Sequence, residues 1–326
     1  MSELKQPHDA LFKKMFSSVL YASSELASVL PVTLVRQLDF STLALCAGAY
    51  VDEALAGSQS DLLFSAQING RASFVYLLFE HQSQVDALMP LRLMKYVLRV
   101  LEQHVERAGG SSRALPLPLV VPVVLYHGEK RWTAARSLQD LFDLEQVAAS
   151  GVGELLPQLG FVLDDLTEQS DSALESRRLH LATLVTLWLL RDARNRARFR
   201  RAREHWIPLL ALVLDLPNGA QLLETFFRYI GVVANEEEAQ ALSEGLQAYR
   251  PEAKEVLMTL AEKWFSEGEA KGKAEGKAET LRKLLTLKFG ELPAAVSERL
   301  SSATEGELDD AIERVLSATT LDQVVL

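Results

Sequence analysis

The chain has a single cysteine, Cys46, which rules out an internal disulfide and a cysteine-built zinc site. It also lacks any apolar run near the roughly 18 residues that a membrane helix needs. The best stretch, Leu115 to Tyr126, is short and holds three prolines. Met1 to Pro7 has no apolar core of the kind a secretory signal carries, so the cytoplasm is the expected compartment and no membrane is expected as a partner. Proline is sparse, 11 in 326 residues, and 48% of the chain is hydrophobic, a balance that excludes disorder and favours a mostly helical protein of two or three compact units. Overall positive charge is lacking too. The net charge of −10 means that a nucleic-acid partner would have to be met by local basic faces. Residues 1–130 are nearly neutral, with 11 basic and 12 acidic side chains, whereas residues 170–210 hold 9 arginines against 4 acids. No glycine-rich phosphate loop, Ser-His-Asp signature or HExxH pair is present.

What is there centres on residues 58–84. Two apolar runs flank Asn69-Gly70, a pair suited to a type I′ turn because both central residues need positive φ. With Ile68 opposite Arg71, Asp61 faces Leu78, and the alternation of a strand puts Leu78, Glu80 and Gln82 on the face of Asp61. Glu80 is then a diagonal neighbour of Asp61, about 7–8 Å away between backbones, near enough for two carboxylates to share one small cation. A slip of one residue would separate them. Such a pair suits Mg²⁺, which takes one or two carboxylates plus water and substrate phosphate, and which can polarise a phosphoryl oxygen and acidify a bound water. A strand that simply leaves the sheet at Glu80-His81-Gln82 would read the same way, so the residues alone leave both readings open.

The motifs Ser60-Asp61-Leu62-Leu63-Phe64, Leu78-Phe79-Glu80-His81-Gln82-Ser83 and Met89-Pro90-Leu91-Arg92-Leu93-Met94-Lys95-Tyr96 resemble those of the Rpn family of recombination-promoting nucleases and transposase-like proteins. That family lies within the PD-(D/E)XK nuclease superfamily. His8-Asp9-Ala10-Leu11-Phe12-Lys13 and Pro122 to Gly128 are similar to the family's pattern as well. The resemblance is strong over roughly the first half of the chain and continues as a general layout. It implies a restriction-endonuclease-like α/β (α+β) core, a mixed sheet flanked by helices, followed by an all-α C-terminal half. It implies a metal-dependent endodeoxyribonuclease in which Asp61 and Glu80 hold Mg²⁺ (Ca²⁺ or Mn²⁺ as substitutes), the His81 carbonyl adds a ligand, and Gln82 positions the attacking water. Gln82 stands where most of the superfamily carries lysine, and an amide supplies no cation, although the Rpn family itself is expected to carry this form. The implied partner is DNA, in recombination or mobile-element movement. The alternative is a non-enzymatic DNA-binding or protein-interaction protein on a degenerate nuclease fold.

The remaining segments add detail. Leu11, Phe12, Met15 and Phe16 form a helical stripe that His8-Asp9 is expected to cap, Asp9 accepting backbone N–H groups; an auxiliary catalytic role for either is the lesser alternative. Ser23 to Leu30 reads as a second helix, Leu38 to Leu43 as a connector, and Asp52 and Glu53 as surface charges. Met89 to Ala108 reads as a helix that buries Leu91, Met94, Leu98, Leu101 and Val105 and carries Arg92, Lys95 and Arg99 on an adjacent face, for phosphates or for solvent. Leu117 to Tyr126 reads as a buried strand and Trp132 to Leu163 as a wrap of short helices. Leu179 to Leu190 reads as a buried helix running into an arginine-rich segment. There Arg196, Arg198 and Arg200 are candidates for phosphate contact, or equally for neutralising acidic segments nearby. Helical stretches at Leu209–Leu214 and Leu222–Tyr229 follow, and His104, His180 and His205 are expected within helices in structural roles, with His127 at a strand end. Gly268, Gly272 and Gly276 recur every four residues, as one side of a helix or as a hinge. The expected organisation is a core at 1–165, a helical domain at 166–250, the glycine repeat at 251–280 and a small helical module at 281–326, with self-association through the C-terminal helices.

Overall fold

The protein is described by a computed structural model that covers residues 6–46, 62–80, 85–110 and 114–324. Asp61, His81 and Gln82, like Asp52 and Glu53, lie outside the described residues, and of Glu80 the backbone position is described. The chain forms two compact units, Ser2–Tyr249 and Arg250–Leu326.

The larger unit opens with helices α1 (Pro7–Phe16), α2 (Val19–Val29) and the short α3 (Val32–Val35), and continues through strands β1 (Leu38–Leu45), β2 (Leu62–Ile68) and β3 (Arg71–Glu80). Helix α4 (Met89–Arg107) leads to β4 (Val120–Tyr126), α5 (Leu144–Ser150) and β5 (Val162–Asp165). Five helices complete it: α6 (Asp171–Ser176), α7 (Leu181–Asp192), α8 (Arg196–Val213), α9 (Gly219–Val233) and α10 (Glu236–Tyr249). The strands form one mixed sheet in the order β1-β2-β3-β4-β5, with β1, β2 and β3 antiparallel and β3, β4 and β5 parallel. This is the α/β class with a helical C-terminal half that the sequence leads one to expect.

The hairpin between β2 and β3 follows from its turn. Asn69 and Gly70 both take positive φ, 52° and 71°, and the register runs from Ile68–Arg71 to Leu62–Leu77. The segment around Leu38 is β1 rather than a connector. Asp39, Ser41 and Thr42 disguise it in the sequence because β1 is an edge strand whose polar positions face water, and Asp39 accepts from the backbone and hydroxyl of Ser41 at 3.0 and 2.6 Å. The strand β5, inside what reads as a helical wrap, is hidden by its brevity and its two aspartates. β4 begins at Val120, with Leu115, Leu117 and Leu119 exposed before it.

Helix α4 covers one sheet face, but not with the residues its sequence suggests. Met89, Leu93, Tyr96 and Val100 pack with Leu63, Phe74, Val124, Tyr126 and Trp132, whereas Leu91 and Leu98 are exposed at 41% and 51%. Both apolar stripes recur at intervals of three and four; the sheet takes the one that offers the large Tyr96 ring. On the other face Leu62, Phe64, Val123 and Leu125 are buried, and α2 reaches across from β1 to β5. A buried ionic triad ties this layer to the edge strand. Arg177, at the end of α6, donates two hydrogen bonds to Asp164 of β5, at 2.8 and 2.5 Å, and stands 3.6 Å from Glu25 of α2. Glu25 and Asp164 are only 1% and 4% exposed, and burial together with the neighbouring Asp164 carboxylate holds the Glu25 carboxyl well above its ordinary range.

Helix α7 is buried all round, as its unbroken apolar sequence requires. Trp188 stacks between Trp206 and Phe199 of α8, with centroids at 4.7 and 5.5 Å. His180 is the N-cap of α7, its Nδ1 accepting from the Ala182 N–H at 3.2 Å, rather than a residue within the helix.

The smaller unit consists of α11 (Ala253–Phe289), α12 (Ala294–Ser302) and α13 (Glu305–Ser317). α11 runs unbroken through the glycine repeat. Leu281, Leu285, Leu300, Leu308 and Val315 make its core, and Lys277 bridges Glu305 and Asp309, both at 2.7 Å. A Thr304–Glu307 capping box starts α13.

Candidate functional site

The C-terminal edge of β3 is positioned from both sides. Its antiparallel partner β2 fixes the register up to Leu62–Leu77, and its parallel partner β4 sets Leu78 beside Val124 and Glu80 beside Tyr126. β4 in turn sets Tyr126 beside Asp165 of β5. Alternation along β4 puts Val124 and Tyr126 on the face that α4 covers. The same helix carries the basic positions noted in the sequence. Lys95 is exposed, Arg92 pairs with Asp86 at 3.1 Å, and Arg99 lies 3.5 Å from Glu102.

Asp165 has structural duties. It accepts from the Trp132 N–H at 2.8 Å and from the Thr167 N–H and hydroxyl at 3.0 and 2.6 Å. Tyr126 donates its hydroxyl to the Lys130 carbonyl at 2.8 Å, folding back over Gly128, where an added Cβ would lie 2.0 Å from that hydroxyl. Glycine is needed here for space, not for an unusual φ.

A second polar group gathers where β4 ends. His127, the residue after Tyr126, is 2% exposed and its Nδ1 bonds to the Leu190 carbonyl at 3.0 Å. Its ring centroid lies 5.0 Å from that of His8 on α1. His8 is held at both ring nitrogens: Nε2 accepts from Nε of Arg194 at 2.8 Å, and Nδ1 meets the Tyr229 hydroxyl at 2.7 Å. An Nε–H cannot accept, so the first bond makes His8 Nε2 the unprotonated nitrogen and sends the ring proton towards Tyr229 from Nδ1. Tyr229 can pass its own proton on to the Leu189 carbonyl, 3.5 Å away. Burial pushes the Tyr229 hydroxyl well up, so it stays a donor, and burial also lowers the Arg194 guanidinium from its usual value. Asp9, 8% exposed, sits inside the first turn of α1 and not at its cap, which Gln6 occupies because Pro7 begins the helix.

Several arginines of the arginine-rich segment are paired within the fold although Arg196 and Arg200 stay exposed. Arg196 donates from Nε to the Ala234 carbonyl at 3.0 Å, Arg198 meets the fully buried Asp192 at 2.8 Å, and Arg200 pairs with Glu238, which Arg203 also approaches at 3.5 Å. Among the described residues no group of three or more His, Cys, Asp or Glu comes together as a metal site, and no helix is long and apolar enough to cross a membrane. Arg194 and Tyr229 were not singled out by sequence reading. They lie 186 and 221 residues from His8, and a place within the run Arg191 to Arg203 is the single local hint for Arg194.

Residues 6–220 match the family model described as "Putative transposase, YhgA-like". The chain is 29% identical over 261 residues to the recombination-promoting nuclease RpnD of Escherichia coli O157:H7, covering 79% of this chain and 93% of that one. It is 29% identical over 265 residues to the recombination-promoting nuclease RpnC of Escherichia coli K12, covering 80% and 81%. It is 30% identical over 273 residues to the inactive recombination-promoting nuclease-like protein RpnE of the same strain, covering 83% and 85%. No solved structure matches the chain.

Proposed function

The chain belongs to the YhgA-like transposase family, and on that footing we propose that it is a metal-dependent DNA endonuclease of the PD-(D/E)XK kind. One observation carries the reading: β2 and β3 pair in the register Ile68–Arg71 to Leu62–Leu77, the register on which the expected Asp61–Glu80 pair depends. In the proposal Asp61 and Glu80 hold Mg²⁺, with the His81 carbonyl as a further oxygen ligand; Ca²⁺ and Mn²⁺ suit the same donors. The metal, when bound, supplies a polarised phosphoryl oxygen and an acidified water. Gln82 orients the nucleophile through its amide. Arg92, Lys95 and Arg99 of α4 hold the DNA strand by its phosphates, and Arg196, Arg198 and Arg200 would do so only by exchanging the partners described above. With a 3′-hydroxyl in place of water the same residues would serve strand transfer in recombination. A cytoplasmic setting and self-association through the Arg250–Leu326 unit complete the proposal.

A non-enzymatic binding protein on the same fold is the second reading, favoured by one fact: a relative named inactive is as similar to this chain as those named nucleases. Plasmid nicking with Mg²⁺ separates the two. Wild-type protein should cleave, and folded Asp61→Ala should bind DNA without cleaving it. Equal cleavage by both proteins, or by neither, would refute the enzyme assignment.

A further inference from the structure

Helix α4 carries apolar side chains on two opposite sides. Met89, Leu93, Tyr96 and Val100 face the sheet, whereas Leu91 and Leu98 turn outward, 41% and 51% exposed. A surface helix ordinarily confines its apolar residues to the core side and sets charge opposite them. Here the outward side continues as Leu91, Met94, Leu98, Leu101 and Val105, alternately three and four residues apart, with Met94, Leu101 and Val105 half-buried. That spacing is the seam of a two-helix coiled coil, and the sheet uses the other stripe.

The charges beside the seam say what fits it. Lys95 and Glu102, both exposed, lie on one edge of it, seven residues apart. An antiparallel copy with Leu98 against Leu101 also sets Met94 against Val105, and it brings each Lys95 within about 3 Å, measured along the axis, of Glu102 of the second copy. Two-fold symmetry makes that ion pair twice. A parallel copy would set Lys95 against Pro90 and Glu102 against Val97 and gain no ion pair. Glu102 meets Arg99 at 3.5 Å on the surface of its own helix, a contact that the incoming lysine joins. Arg92 and Arg99 each follow a seam leucine by one residue and so stand about 100° round the helix, outside the seam. Lys95 alone is shared with the phosphate role proposed above.

We infer that the outward face of α4 is a dimer interface, on which α4 of a second copy lies antiparallel, held by the Leu91–Val105 seam and by reciprocal Lys95–Glu102 pairs. This contact is separate from the self-association proposed for the Arg250–Leu326 unit, and it does not depend on the nuclease reading.

Sedimentation velocity of the full chain, without DNA, tests it. Wild-type protein should self-associate reversibly, with a dissociation constant of order micromolar for so small an interface. Leu98→Glu, folded by tryptophan fluorescence, should raise that constant about tenfold or more by placing a charge in the seam. Lys95→Glu alone and Glu102→Lys alone each set like charges together twice and should weaken association about tenfold. Mixed in equal amounts, the two variants have opposite charges at both pairs, so wild-type affinity should return as a heterodimer. The double variant Lys95→Glu/Glu102→Lys should regain it as a homodimer. A wild-type chain that stays monomeric at about 100 μM overturns the inference. So does a folded Leu98→Glu with unchanged self-association, which would place the assembly in the Arg250–Leu326 unit, and so does a mixture that associates no more tightly than its components. Should Leu98→Glu fail to fold, the surface charge variants decide the matter.

Discussion

Replacing Asp164 by alanine removes both hydrogen bonds that Arg177 donates to it inside the fold. Stripping one partner from a buried ion pair ordinarily costs about 3–5 kcal/mol, because a charge is left without compensation. Here Glu25 stands 3.6 Å from the same guanidinium, and burial and Asp164 itself raise its carboxyl well above the ordinary range. Without Asp164 one cause of that rise is gone, Arg177 draws the Glu25 carboxyl back down against burial, and the loss should shrink to about 2 kcal/mol. Glu25→Gln alone keeps the shape and should stay within about 1 kcal/mol of wild type. The double variant has no carboxylate for Arg177 in the triad and should lose the full cost of about 4–5 kcal/mol, a coupling of about 1 kcal/mol or more. Urea unfolding at neutral pH, followed by the fluorescence of Trp132, Trp188 and Trp206, measures all four proteins. The sign with pH gives an independent check. A raised carboxyl binds its proton in the folded state where the unfolded chain has released it, so wild-type stability falls as pH climbs from the ordinary carboxylate range to the raised value. Glu25→Gln should abolish that fall, and Asp164→Ala should make it smaller. Losses additive to within about 0.5 kcal/mol would refute the argument.

Three further outcomes follow from the packing. Leu93→Ala should cost about 2–5 kcal/mol and Leu98→Ala under about 0.5 kcal/mol, since Leu93 is fully buried on α4 and Leu98 half exposed; equal losses in urea would restore the other stripe. Gly128→Ala should cost about 1–3 kcal/mol, read as a lowered Tm, because the new methyl meets the buried Tyr126 hydroxyl; a wild-type Tm would contradict the close approach. Arg198→Ala should destabilise by about 1–3 kcal/mol in DNA-free buffer, as the fully buried Asp192 loses one of its arginines, and an unaffected Tm would mark that pair as idle.

Much of the fold could be read from the sequence where the determinants are local. Asn69-Gly70 dictates a turn, the turn dictates a register, and the register dictates which residues of β3 share a face. Alpha-helical α7 declares itself by an apolar run with no polar side. Failure came where two answers satisfy the same rule or where partners are remote. Helix α4 carries two apolar stripes of equal period, and what selects Leu93, Tyr96 and Val100 is the shape of a sheet built from distant strands. β5 is four residues long and contains two aspartates, and its pairing with β4 is parallel, so no turn announces it. The bond between His8 and Arg194 spans most of the larger unit, and nothing near either residue signals it. The residues proposed to hold the metal were read from the motif and from the hairpin register. The His8–Arg194 contact is visible only in the tertiary structure.

The mixed sheet also orders events in time. β3 obtains its antiparallel neighbour from a two-residue turn, which can close within microseconds of leaving the ribosome. Its parallel neighbour arrives only after α4 has been made and has crossed over. A nascent chain halted near residue 110 would thus own the hairpin and its carboxylate but not the strand against which Glu80 is set. Translation itself therefore completes this sheet in stages, the antiparallel side first and the parallel side only after the crossover.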